Sequence, residues 1–290
     1  MGDFFEDSIA AAKFGLKWFD DPKSHRLYFA FALCYLALFL IANYVLGLPV
    51  GASYDQKAIR ALVESGQLTN LFAGAFTLGL VFMVPFLILS VMIAIKALNR
   101  LKIKARGVNA NSVVGYVVVM IIVFLKSILL WHNKKWWVII LLPIPLFFLI
   151  GKLTLFFAFL AFLAYIFLVA YTLLRLCFGD FFYLADQSLS PSDAVKKSFK
   201  MTKGFLLKLF ARFLISTIIV SVILTAIFIL PQILLGFLDT IVGNSLLSIA
   251  FQALVSPMQL MAGTYSQVYI FSLLLQWNKN KSPSKAIKAK

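Results

Sequence analysis

Hydrolysis, metal binding and phosphoryl transfer each need a recognisable set of side chains: paired carboxylates, clustered histidines or cysteines, or a glycine-rich loop carrying a lysine. The chain holds eleven carboxylates, and none lies in the middle of an apolar run. His25 and His132 sit at the ends of different runs, and no glycine-rich phosphate loop is present. Cys34 and Cys177 lack metal-ligand spacing and read as small core residues. The chain therefore reads as a non-enzyme, with no catalytic, cofactor-binding or metal residues expected. Asp180 and Asp186, in "FGDFFYLADQ", could serve as cation ligands, but pairing with nearby lysines or with Arg175 is the preferred reading.

Two patterns remain that could bind something. Gln252, Ser256, Gln259, Gly263 and Ser266 recur at spacings of four, three, four and three inside an apolar run, which is one face of one helix. Such a polar seam should face other helices rather than lipid. It serves either as inter-helix hydrogen bonding, about 0.6 kcal/mol per bond, or as a cleft for a headgroup or solute.

The second pattern is "SPSDAVKKSFKMTKG", Ser190–Gly204. Ser190 can cap a helix, Pro191 suits its first position, and Asp193 completes a capping-box spacing. Val195, Ser198, Phe199 and Thr202 form one face, with Lys196, Lys197, Lys200 and Lys203 largely on the other. This is a basic interfacial helix, its lysines set for anionic headgroups. Lys126 is the one cation clearly within an apolar run, and its stem is expected to snorkel toward Trp131.

The elements that carry these residues follow from composition. Of 290 residues 62% are hydrophobic and 13% charged, with mean hydropathy +0.95, more apolar surface than a soluble core of this size can bury. The expected fold is all-α, a polytopic helical bundle forming a single integral membrane domain over 1–290. The net charge of +16 sits mostly beside apolar runs, which points to membrane lipids with anionic headgroups and not to nucleic acid.

Six spans are expected, at Leu27–Leu48, Leu71–Leu98, Ser112–Trp131, Leu153–Leu176, Phe205–Leu230 and Pro257–Trp277. They form hairpins over 27–98, 112–176 and 205–277. Interfacial amphipathic helices occupy 1–26 and 190–204, and a basic tail follows over 278–290. The stretch 136–152 is short and broken by Pro143 and Pro145, so it reads as re-entrant. The loop "SYDQKAIRALVESG" reads as a short outer helix. With six spans, the basic segments after Lys96, after Arg175 and in the tail all fall on the cytoplasmic side. This places both termini in the cytoplasm of a cell-membrane protein.

The N-terminal segment also has helical periodicity, with Phe5, Ile9, Ala12, Leu16 and Phe19 as its apolar face. Aligning Phe14 with Phe199 suggests a divergent repeat of interfacial helix plus spanning hairpin. "DQSLSPSDAVKKSFKMTKG", followed by a span reaching Pro231 and by "VSPMQLMAGTYSQVY", resembles a prokaryotic membrane family of unknown function. That family is related to the membrane domain of glycerophosphoryl diester phosphodiesterases. The matching residues are Ala194, Lys197, Ser198, Thr202, Lys203, Gly204 and Tyr265 or Tyr269. The resemblance covers best the C-terminal third and implies a fold; the soluble phosphodiesterase domain is absent from these residues. The expected role is a multi-pass membrane protein that organises or regulates lipid or protein partners, among them a possible membrane protein. The alternative is a transporter or lipid-handling permease using the seam.

Overall fold

A computed structural model describes residues 2–42, 67–129, 153–242 and 246–281. The outer-loop helix and the re-entrant 136–152 lie outside the described residues. Within them the chain is all-helical: α1 Gly2–Leu16, α2 Pro22–Leu40, α3 Gln67–Arg100, α4 Ala110–Ile128, α5 Leu153–Leu176, α6 Gly179–Ala185, α7 Pro191–Met201, α8 Leu206–Val242 and α9 Leu246–Lys281. Four stretches are long and apolar enough to cross a membrane: Phe76–Arg100, Ala110–Ile128, Phe162–Ala185 and Leu206–Leu238. The chain is thus an all-helical membrane protein. The other two expected spans fall on α2 and α9, which are helical but outside that set.

Helix ends differ from the sequence reading where prolines were taken as boundaries. Pro231 lies inside α8 and Pro257 inside α9. Long apolar helices tolerate proline because neighbouring groups re-satisfy the freed carbonyl. At 36 residues, α9 is about 54 Å long, well beyond a ~30 Å hydrocarbon core.

The chain folds as two compact units. The first comprises Met1–Ala97 and Arg212–Ile270, the second Leu98–Ala211 and Phe271–Lys290. Their charges differ sharply. By sequence the first carries eight basic and eight acidic residues, whereas the second carries nineteen basic and three acidic. The whole net charge of the protein therefore belongs to the second unit.

In the first unit α1 docks through small residues. Ser8, Ala11, Ala12, Gly15 and Trp18 are buried, while Phe5, Ile9 and Phe19 are exposed. Of the expected apolar stripe the large members Phe5, Ile9 and Phe19 are turned outward, while Leu16 is half-buried and Ala12 is buried. In a membrane protein large apolar side chains gain nothing by leaving lipid, and small ones let backbones approach. A Cβ on Gly15 would collide with Ser266 Oγ and meet the Ala262 carbonyl at 2.8 Å.

A 3-10 turn, Lys17–Asp20, leads to Asp21, which caps α2 by accepting from the Lys23 N–H at 2.9 Å. Asp21 also pairs with Lys96 at 2.9 Å. Burial pushes its carboxyl up, but the Lys96 and Lys23 hydrogen bonds outweigh this and hold it below the usual range.

The burial pattern offers a different register for the expected repeat. Buried residues fall at Ser8, Ala11, Gly15 and Trp18 in one copy, and at Val195, Ser198, Thr202 and Phe205 in the other. Both sets step by three, four and three. That register would pair Ala12, not Phe14, with Phe199.

Candidate functional site

The most elaborately built surface feature is α7, in the second unit. Ser190 Oγ accepts the Asp193 backbone N–H at 3.2 Å and donates to the Asp193 carboxylate at 2.7 Å. Pro191 occupies the first turn, where its missing N–H costs nothing. The helix closes at Thr202, and Gly204 turns the chain at φ 85°, a left-handed value suited to glycine.

Ala194, Val195, Ser198 and Thr202 are buried. Ser198 Oγ donates to the Arg175 carbonyl at 2.9 Å, and Thr202 Oγ1 lies 3.2 Å from the same oxygen. That carbonyl belongs to the last turn of α5, which its own helix leaves without partners. Gly179 of α6 completes the packing, since a Cβ there would meet Val195 at 3.2 Å and Val119 at 3.4 Å. Asn278 Nδ2 donates to the Met201 carbonyl at 3.3 Å and ties down the far end. The alanine, serine, threonine and glycine of the sequence motif are therefore packing and capping residues.

Arg106 holds the approach to α7. Its Nε donates to the Tyr183 carbonyl at 2.6 Å. Its Nη2 reaches the carbonyls of Asp186, Gln187 and Leu189 at 2.9, 3.0 and 2.7 Å. Its guanidinium also lies 4.0 Å from the centre of the Tyr183 ring. One side chain thus collects the open carbonyls between α6 and α7. No sequence pattern singled out Arg106, because its partners are backbone atoms some 80 residues away.

The four lysines divide. Lys196, Lys200 and Lys203 are exposed, Lys196 pairing with Asp193 at 3.0 Å. Lys197 is half-buried, 3.0 Å from Asp186 and 5.5 Å over the Phe182 ring. Hydrogen bonding from Ser188 and then from Lys197 lowers the Asp186 carboxyl to about 2. Among the described residues Asp180 pairs with no lysine and not with Arg175; the Tyr116 hydroxyl donates to it, as does the Phe181 N–H at 2.9 Å. Arg175 is nine-tenths buried, stacked 3.4 Å over the Phe199 ring, with Nη2 donating to the Phe199 carbonyl at 2.6 Å. Cys177 is exposed, not a core residue, because it follows the last turn of α5.

In the first unit the seam of α9 separates. Ser266 is buried, and its Oγ donates to the Ala11 carbonyl at 3.1 Å. Gln259 is exposed, Gln252 and Ser256 are half-buried, and a Cβ on Gly263 would meet nothing within 4 Å. Ala253, Met261, Ala262 and the motif residue Tyr265 fill the inner face instead. The Tyr265 hydroxyl shares a 3.2 Å hydrogen bond with Ser24 Oγ, and its ring lies 5.6 Å from Phe14.

Among the described residues no three His, Cys, Asp or Glu side chains converge on a point that could hold a metal. Asp7, Asp21, Asp186 and Asp193 are each engaged with a cation.

Compared with known proteins, the chain matches no family model, no curated protein and no solved structure. The likeness to phosphodiesterase membrane domains accordingly rests on the motif residues alone.

Proposed function

We propose that this chain is a six-span cell-membrane protein with both termini cytoplasmic and no catalytic site. It organises or regulates lipid or protein partners, and it contacts anionic headgroups through α7. One observation carries this reading: α7 is fastened on its inner side by Ala194, Ser198 and Thr202, while Lys196, Lys200 and Lys203 project outward from the unit that holds all the net charge. An anionic leaflet attracts each such lysine by about 1 kcal/mol. The pairing of Asp7, Asp21, Asp186 and Asp193 with cations supports a non-catalytic role.

The test is extraction of the protein with its surrounding lipid, comparing wild type with K196E/K200E/K203E. Enrichment of anionic over zwitterionic lipid is expected to fall several-fold in the triple variant. An unchanged lipid ratio overturns the headgroup contact. In the same cells a reporter placed after Lys290 is expected to read cytoplasmic, and an external signal overturns the six-span arrangement. A second reading, a transporter or lipid-handling permease, is favoured by one feature, the open space beside Gly263 next to exposed Gln259.

A further inference from the structure

Arg175 is the one described arginine that is both nine-tenths buried and without a carboxylate at ion-pair distance. A guanidinium cannot shed its proton, so burial does not neutralise it. Two of its nitrogens have partners: Nη2 the Phe199 carbonyl, and Nη1 the Tyr171 hydroxyl at 3.4 Å. Its buried Nε–H has no acceptor. A buried cation held by one carbonyl, one long hydroxyl contact and an aromatic face is incompletely compensated.

The surroundings add positive charge. On α7 the exposed Lys196 and Lys200 stand three and one residues from Phe199, which borders the lysine face, and the exposed Lys203 follows just past the helix end. Phe199, which covers the Arg175 guanidinium, therefore sits among three exposed lysines. Asp193 is the acid paired into this group. Tyr171, one turn before Arg175, is exposed. Aromatic side chains of this kind stand at the headgroup level of bilayers.

We propose that Arg175 is the centre of a built site for the phosphate of one anionic phospholipid. The Arg175 fork and the Tyr171 hydroxyl take the phosphate, and Lys196, Lys200 and Lys203 screen the remaining headgroup charge. The lipid tails lie along α5. A planar fork suits two phosphate oxygens in a way an ammonium does not. The inference rests on the reading of α7 as a headgroup-contacting helix, but it differs in kind. Surface attraction is diffuse and salt-sensitive, whereas this site holds a single lipid.

The experiment is native mass spectrometry of the detergent-purified full chain after washing in about 0.5 M salt, where charges are screened within about 4 Å. Wild type is expected to retain one phosphatidylglycerol-class lipid, and R175K, compared at a temperature where both variants are folded, about tenfold less. R175Q serves as a second variant, and the wild-type count stands by itself if neither variant folds. Retention equal in R175K and wild type overturns the site. So does a wild type that keeps no lipid, even when the lipid ratio around the protein still responds to lysine reversal. Two further outcomes also overturn the lipid assignment. One is inorganic phosphate stabilising delipidated wild type but not R175K; the other is an acidic protein retained in place of lipid.

Discussion

Replacing Arg106 by alanine offers the sharpest test of how α7 is held. Nη2 has two hydrogens, so its three carbonyl acceptors share them; with Nε the side chain supplies the equivalent of three charge-assisted bonds. At the low end for charged donors, about 1.5 kcal/mol each, these contribute about 4–5 kcal/mol. The contact with the Tyr183 ring adds about 0.5–1 kcal/mol. Water can replace the exposed contact at Gln187, which brings the expected loss in R106A to about 3–4 kcal/mol. R106K keeps the charge but loses the fork, and about half that loss is expected. Reversible unfolding in mixed micelles measures the total. Amide exchange at Phe182 and Asp186, bonded within and just after α6, is expected to accelerate by about 10²–10³. If R106A stays within about 1 kcal/mol of wild type with exchange unchanged, Arg106 does not hold this junction.

Ser266→Leu is expected to destabilise by about 1–3 kcal/mol because α1 packs against it through Gly15, whereas Gln259→Leu should stay within about 0.5 kcal/mol. Thermal unfolding of both decides, and a larger loss at Gln259 contradicts their placement. Loss of a transport activity in a stable Gln259→Leu protein would favour the permease reading. The lowered Asp186 carboxyl sets a pH dependence: its contribution is full above the unfolded value near 4 and is lost as pH falls toward 2. The stability difference between wild type and Asp186→Asn should therefore shrink from pH 5 to pH 2, and a constant difference refutes the link to Lys197 and Ser188.

The helical class and the construction of α7 were legible because capping is local. Ser190, Pro191 and Asp193 announce a helix start whatever surrounds them. The bounds of α5 likewise coincide with the expected span. Which faces meet was not legible from apolar periodicity. In α1 the large stripe of Phe5, Ile9 and Phe19 points outward while Ser8, Ala11 and Gly15 make the contact. In α9 only Ser266 of the five seam positions is buried. Apolar spacing locates a core in water; in lipid the informative residues are the small ones. Arg106 and Arg175 were missed as organisers because their partners are backbone carbonyls and rings, which leave no complementary charge in the sequence to pair with.

The bond from Ser266 to the Ala11 carbonyl joins positions 255 residues apart. At about 5–20 residues per second, a ribosome delivers Ser266 roughly 13–50 s after Ala11. Through that interval α1 exists without the surface that Ala11 and Gly15 will cover. Its outward Phe5, Ile9 and Phe19 give it somewhere to wait, at the lipid–water boundary, where an amphipathic helix rests without a partner. Most of the second unit is a continuous run, Leu98–Ala211, already made by then. The first unit is thus begun by α1 and completed by α9, on either side of the second unit's main run, and an interruption of synthesis before α9 strands α1 at the bilayer surface.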